Sequence, residues 1–216
     1  MVSVYLYVAN IIDYLRLVSL IASLFYFETD PIKFAVLYFC SFSLDLFDGM
    51  AARYFKQCSR FGSALDMITD RLSTLCLLAI LGRLYSEYFL VFTLLIVLDI
   101  GSHWLQIYSS LLQIIINPDI VNHKSIKEKF VILEIYYHNK YVLFTFVLFA
   151  ELFLIMLYVN FHYPLIMNND IYKGLYWFSF AVYASKQFVS VVQIMGASDR
   201  IVSIDSEKAN EQKKNE

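Results

Sequence analysis

An all-α polytopic membrane protein with about six transmembrane helices is the fold class this sequence predicts, and three observations predict it. Of 216 residues, 59% are hydrophobic and only 17% are charged, against roughly 25% charge in an average soluble domain. The mean hydropathy is +0.59. The apolar residues also gather into six segments, each close to the roughly 20 residues that a spanning helix needs. A soluble domain could not cover this much apolar surface, and a disordered or collagen-like chain would not carry it. The formal net charge of −2 gives no basic field, so no nucleic acid is expected as a partner. The three cysteines, Cys40, Cys58 and Cys76, lack metal-site spacing and read as apolar packing.

The segments follow in order. The first runs from about Val8 to Phe27 and is interrupted by Asp13 and Arg16. It has no basic flank followed by a small-residue cleavage site, so it reads as a retained span. The second, from about Ile32 to Phe55, turns polar after Leu44. The third covers about Leu65 to Tyr85, the fourth about Tyr88 to Leu112. The fifth, Tyr141 to Phe161, has Glu151 as its only charge. The sixth, from about Gly174 to Met195, contains Lys186, for which Glu151 is a candidate structural partner. Residues 1–200 read as one transmembrane domain and residues 201–216 as a flexible cytosolic tail.

Loop charge sets the orientation. With both termini in the cytosol, that side holds Arg53, Lys56, Arg60, Lys124, Lys127, Lys129, Lys140, Arg200, Lys208, Lys213 and Lys214. The opposite side holds Lys33, Arg83 and Lys173. Eleven against three decides for cytosolic ends. The closing Lys213-Lys214-Asn215-Glu216 resembles a dilysine retrieval signal and points to the endoplasmic reticulum membrane. Lys124, Lys127 and Lys129 read as a basic loop near anionic headgroups.

The densest set of membrane charges lies between Asp45 and Arg71. Asp45 and Asp48 are three residues apart, and Asp66 and Asp70 are four apart, so each pair shares a helix face. A hairpin of the second and third segments would bring the two pairs together at its cytosolic end. Four convergent carboxylates repel one another unless cations sit between them. Hard oxygen ligands favour Mg²⁺ or Mn²⁺ over zinc. Two metals roughly 3.5–4 Å apart that clamp a phosphoryl group are one use of such a site. Gly49 and Ala52 share the face of Asp45 and Asp48 and leave room for a ligand. Gly62 lies where a turn or a close backbone approach is needed. Arg53 and Arg60 offer planar donors to phosphate oxygens. Taken singly, one aspartate pair reads equally well as a solvated interfacial loop. A divalent-cation transporter would use the acids as an ion path, but it needs access from both membrane faces, whereas these acids gather at one.

The run Asp45-x2-Asp48-Gly49-x2-Ala52-Arg53-x8-Gly62-x3-Asp66-x3-Asp70 resembles the signature of the CDP-alcohol phosphotransferase family without a gap or substitution. At ~5% per residue type, eight fixed matches arise by chance on the order of 10⁻¹⁰ per starting position. Further strings resemble the eukaryotic branch that uses inositol. These are Val8-Ala9-Asn10-Ile11-Ile12 with Arg16, the LDIGSHWLQIYSS run containing Asp99, Ser102, His103 and Trp104, His123-Lys124, Tyr136-Tyr137 and Glu151-Leu152-Phe153. The chain departs from that branch at Ala9, where proline is usual. It departs also at Phe130-Val131, where Asn-Pro is usual, and at Glu134, where arginine is usual.

The resemblance implies the family's six-helix fold, often dimeric, with a site open to the cytosol. It implies metal-dependent transfer of the phosphatidyl group from CDP-diacylglycerol to myo-inositol, with release of CMP. Asp45, Asp48, Asp66 and Asp70 would bind Mg²⁺ or Mn²⁺ in a two-metal site. Asp70 would also take the proton of the inositol hydroxyl, and Gly49, Arg53 and Ser59 would contact the CDP part of the donor. Asn10, Arg16, Ser102, His103 and Lys186 are the candidates for the acceptor pocket. Another acceptor, glycerol phosphate or serine, remains the alternative within the family. A phosphorylated acceptor calls for more basic residues than Lys186 and Arg16 supply.

Overall fold

A computed structural model of the chain describes residues 2–116 and 130–215. His123, Lys124, Lys127 and Lys129 lie outside the described residues, as do Glu216 and the side chains of Tyr137, Lys140, Lys208, Lys213 and Lys214. Every regular element among the described residues is helical: α1 (Val8–Leu24), α2 (Pro31–Tyr54), α3 (Arg60–Leu84), α4 (Phe89–Ile116), α5 (Val131–His138), α6 (Lys140–His162) and α7 (Asp170–Asn215). Helix α7 continues through residues 201–215, where the sequence leads one to expect a tail.

Among the described residues, three helices are long and apolar enough to cross a membrane: Pro31–Tyr54, Ser86–Ile116 and Tyr141–His162. Between 17% and 28% of their apolar windows is buried within the protein, so most of that surface is left for lipid. Phe39, Leu90 and Trp104 lie on these exposed faces. The count of about six spans is not established by length and composition. Helix α1 has only 17 residues and carries Asp13 and Arg16. Helix α3 carries Asp66, Asp70 and Arg71, and the apolar part of α7 is broken by Lys186 and Gln187. The charges on α1, α3 and α7 thus keep these helices below the hydropathy criterion, whereas α2 meets it although it carries Asp45 and Asp48.

The chain divides into two compact units. The first comprises Met1–Phe92 and Leu154–Asn168. In it α1 packs on α2 through small polar contacts. Ser41 Oγ donates to the Arg16 carbonyl at 2.9 Å, and Ser19 Oγ donates to the Leu37 carbonyl at 2.8 Å. The buried face of α1 is Ala9, Asn10, Asp13, Arg16, Leu20 and Ser23, spaced at the three-to-four-residue interval of one helix side. Helix α2 starts with Asp30 as N-cap, which accepts from the Lys33 N–H at 3.1 Å, and with Pro31 in its first turn. Tyr158, on the C-terminal part of α6, is fully buried. It donates to the Phe27 carbonyl at 2.8 Å and packs on the Phe34 ring at 4.3 Å.

The link from α2 to α3 fixes the site. Gln57 N–H bonds the Ala52 carbonyl at 2.8 Å and Lys56 N–H bonds the Arg53 carbonyl at 3.3 Å. This is the Schellman pattern, and its left-handed position is Lys56, with φ 55°. Ser59 then caps α3, its Oγ accepting from the Gly62 N–H at 2.9 Å. Gln57 Oε1 accepts from Val8 N–H at 2.9 Å and ties the link to the start of α1.

The second unit comprises Thr93–Phe153 and Asn169–Glu216. Its apolar core includes Leu133, Tyr136, Val189 and Val192, flanked by Phe130, Leu143 and Phe146. Within it, α4 and α7 meet along a polar seam. Lys186 Nζ lies 3.4 Å from Asp99 Oδ1, and Arg200 donates to Gln106 Oε1 at 2.6 Å and to Ser109 Oγ at 3.1 Å.

Candidate metal and substrate site

Five carboxylates converge in the first unit, and a guanidinium stands between them. Arg16 Nη1 lies 2.9 Å from Asp13 Oδ1, 2.7 Å from Asp48 Oδ2 and 3.1 Å from Asp66 Oδ1. Its Nη2 lies 2.5 Å from Asp70 Oδ1 and pairs also with Asp45 Oδ1. Local structure explains the convergence. Asp45 and Asp48 share a face of α2, Asp66 and Asp70 share a face of α3, and Asp13 and Arg16 are one turn apart on the buried face of α1. The expected hairpin thus brings all four signature aspartates together.

The sequence reading passed over Asp13, which it took only as an interruption of an apolar segment. Asp13 is 1% exposed. Its spacing to Arg16, on a side that also carries Asn10, was the available signal. Arg16, a candidate for the acceptor pocket, makes its ion pairs with these acids.

A cleft of about 220 Å³ opens beside the cluster, lined by Asn10, Asp13, Asp48, Gly49, Arg53 and Ser59 among others. Gly49 N–H donates to Asp48, and a Cβ on Gly49 would lie 3.3 Å from Arg53 Nη1. The bare backbone there lets the Arg53 guanidinium lie close over α2. Gly62 sits in the first turn of α3, and the left-handed residue of the preceding link is Lys56. Gly62 serves close approach: a Cβ would come within 2.6 Å of Asn10 Oδ1. Asn10 is held by donating from Nδ2 to the Val4 carbonyl at 2.6 Å. The expected donor contacts Gly49, Arg53 and Ser59 therefore line one cleft, and the Ser59 hydroxyl also caps a helix there. Cys58 lines the same cleft; all three cysteines are free, and Cys40 and Cys58 are exposed.

Ser102, His103 and Lys186 come together in the second unit around Asp99. Ser102 Oγ donates to the Asp99 carbonyl at 3.2 Å, and His103 Nδ1 lies 2.8 Å from the same oxygen. His103 Nδ1 is also 3.8 Å from the Asp99 carboxylate, which Lys186 meets at 3.4 Å.

The carboxylates fit divalent cations. One oxygen each from Asp13, Asp48 and Asp66 lies within 4.8 Å of the others, and the same holds for Asp45, Asp66 and Asp70. All-oxygen donor sets of this kind suit hard cations. Asp66 belongs to both trios, as a bridging ligand in a two-metal site would.

A family model described as CDP-alcohol phosphatidyltransferase matches residues 6–167. The chain belongs to the CDP-alcohol phosphatidyltransferase family. Three curated relatives illustrate its place among the CDP-alcohol phosphatidyltransferases. The human CDP-diacylglycerol–inositol 3-phosphatidyltransferase is 35% identical over 208 residues, covering 94% of this chain and 95% of the relative. A probable CDP-diacylglycerol–inositol 3-phosphatidyltransferase of Arabidopsis thaliana is 38% identical, with 95% and 94% covered. The Saccharomyces cerevisiae CDP-diacylglycerol–inositol 3-phosphatidyltransferase is 36% identical, with 96% and 91% covered. No solved structure matches the chain. The family match spans all five acids of the cluster, so the convergent carboxylates lie inside the region that defines a CDP-alcohol phosphatidyltransferase.

Proposed function

We propose that this protein transfers the phosphatidyl group of CDP-diacylglycerol to myo-inositol and releases CMP. The observation that carries the reading is the convergence of Asp45, Asp48, Asp66 and Asp70 beside a cleft that also holds Gly49, Arg53 and Ser59. The relatives, named for this reaction along nearly their whole length, support inositol as the acceptor.

Asp45, Asp48, Asp66 and Asp70 would hold Mg²⁺ or Mn²⁺, and their two carboxylate trios leave room for a two-metal site. Such ions, when bound, withdraw charge from a transferring phosphoryl group and its leaving oxygen. Arg53 binds the diphosphate through its planar donors, with Gly49 allowing the approach. Asp70 accepts the proton of the attacking inositol hydroxyl. The inositol oxygen bonds to the phosphorus that carries diacylglycerol, and the bond from that phosphorus to the CMP oxygen breaks. The hydroxyl proton ends on the Asp70 carboxylate, and CMP leaves as the anion. Asn10 shapes the cleft wall against Gly62. Ser102, His103 and Lys186, gathered at Asp99, are assigned to the neutral polyol, which hydroxyl and imidazole groups suit better than a phosphorylated acceptor. The loop-charge asymmetry supports cytosolic termini and a cytosolic site. The family resemblance supports a homodimer.

The test is purified protein in detergent with CDP-diacylglycerol, Mn²⁺ and radiolabelled myo-inositol, scored as lipid-soluble label. Label that requires both metal and CDP-lipid, and disappears in Asp66→Asn, is the expected result. CMP released with glycerol phosphate or serine, but no inositol label, would keep the family and overturn the acceptor. Folded protein that releases no CMP with any acceptor, yet moves Mn²⁺ across sealed vesicles, would make the acids an ion path.

A further inference from the structure

The guanidinium of Arg16 is poorly matched to its surroundings in two opposite ways. Arg16 is 2% exposed, and its Nε–H has no hydrogen-bond partner. A buried donor left unsatisfied is costly. At the same time Nη1, with two N–H groups, faces oxygens of three carboxylates, Asp13, Asp48 and Asp66. A residue built for fork-shaped recognition would engage Nε together with one Nη against a single carboxylate. Here the fork faces the other way, and each Nη nitrogen is seated in one carboxylate trio. Nη1 contacts every member of Asp13–Asp48–Asp66, and Nη2 contacts Asp45 and Asp70 of Asp45–Asp66–Asp70. Charge-assisted hydrogen bonds to Asp13, Asp48, Asp66 and Asp70 hold the side chain there. Five ionised carboxylates would outnumber the single guanidinium by four charges, with Asp13 and Asp48 buried and Asp45, Asp66 and Asp70 part-exposed.

We propose that Arg16 is a resident cation of this cluster that gives up its place to divalent cations, and that Asp13 becomes a ligand of the trio it vacates. The proposal rests on the reading of the acids as a metal site. It adds a fifth carboxylate, from α1, to the four of the signature, and it makes α1 the element that senses metal loading. A metal and the guanidinium compete for the same oxygens, so each weakens the other's hold by the same factor. The displaced fork carries an Nε–H and Nη groups that are again free to donate, and Ser41 keeps the Arg16 backbone anchored while the side chain turns.

The two residues have opposite predicted signatures, which a merely structural pair would not show. Mn²⁺ binding to the full-length protein in detergent, read by the loss of the free-ion paramagnetic resonance signal, is measured for wild type, R16Q and D13N. R16Q removes the competitor and tightens Mn²⁺ binding by about tenfold or more. D13N removes a ligand and weakens it by about tenfold. Should R16Q not fold, D13N is compared with D13N/R16Q, which restores the wild-type charge of the cluster; the double variant is expected to bind Mn²⁺ more tightly than D13N. Binding that is unchanged or weaker on loss of Arg16, in either background, overturns the exchange. Binding unchanged in D13N removes Asp13 from the ligand set. Wild-type protein that binds no Mn²⁺ at all would overturn the metal reading beneath the proposal, which separates the two failures.

Discussion

Asp70 and Gly62 make different demands on the same site, one chemical and one steric. Asp70→Asn keeps the shape and removes both the proton acceptor and one anionic metal ligand. It is expected to lower turnover by about 10²- to 10⁴-fold with little change in the KM for CDP-diacylglycerol. Near-normal turnover would remove Asp70 from that role. Gly62→Ala places a methyl group 2.6 Å from Asn10 Oδ1, so the Asn10 amide, held at the Val4 carbonyl, or one of the two helices must give. The expected result is a loss of about 1–3 kcal/mol in thermal stability in detergent and a rise in the KM for CDP-diacylglycerol. The signature acids could be read from the chain because their spacing is local: three and four residues on single helices. Asp13 is harder to read, because its carboxylate partners, Asp48 and Asp66, come from two other helices and only its three-residue spacing to Arg16 marks it in the chain. Arg16 was visible as a membrane charge, but only the packing of α1 against α2 and α3 tells what it faces.

The α2–α3 link is an element whose energetics can be tested without touching the chemistry. Lys56 holds the left-handed position that glycine usually fills, at a cost of about 1 kcal/mol for an L-residue. Lys56→Gly should therefore raise the thermal stability of the first unit slightly and leave label incorporation unchanged; a fall in stability would mean that the Lys56 side chain contributes more than its backbone costs. Ser59→Ala removes the cap on Gly62 N–H and should cost about 1 kcal/mol. Because Ser59 also lines the cleft, its variant should raise the KM for CDP-diacylglycerol as well. The existence of the hairpin followed from the paired acids. The turn chemistry did not, since no glycine marks it, and the nearby Gly62 drew attention to the wrong position.

At the scale of the molecule, the polar helices and the apolar ones were legible to different degrees. The spans at Pro31–Tyr54, Ser86–Ile116 and Tyr141–His162 stand out by hydropathy alone. Helices α1 and α3 carry Asp13, Arg16, Asp66 and Asp70, which lowers the hydropathy signal that would reveal them, while α2 stands out despite Asp45 and Asp48 because its first half is apolar. Stripping metal with a chelator should abolish label incorporation, and Mn²⁺ should restore it in full, because Arg16 holds the carboxylates together meanwhile. Irreversible loss after chelation would show that the guanidinium is no substitute. Protease applied to sealed microsomes should remove tags from both termini if the loop-charge orientation holds.

Asp13 and Arg16 also bear on how the chain enters the bilayer. Helix α1 emerges from the ribosome before α2 and α3 exist, so none of the other four acids is yet there to meet Arg16. An unpaired arginine or aspartate near the centre of an inserting helix costs about 2.5–3.5 kcal/mol. Arg16 brings its own counter-ion one turn away, at 2.9 Å on the same side of the helix. Were α1 to enter the bilayer by itself, it would do so as a nearly neutral rod, and its cation would be re-partnered when the next two helices arrive. Replacing Asp13 with Asn should then lower the membrane-integrated fraction of a nascent chain stopped after α1, and should matter less once α2 and α3 have been synthesised.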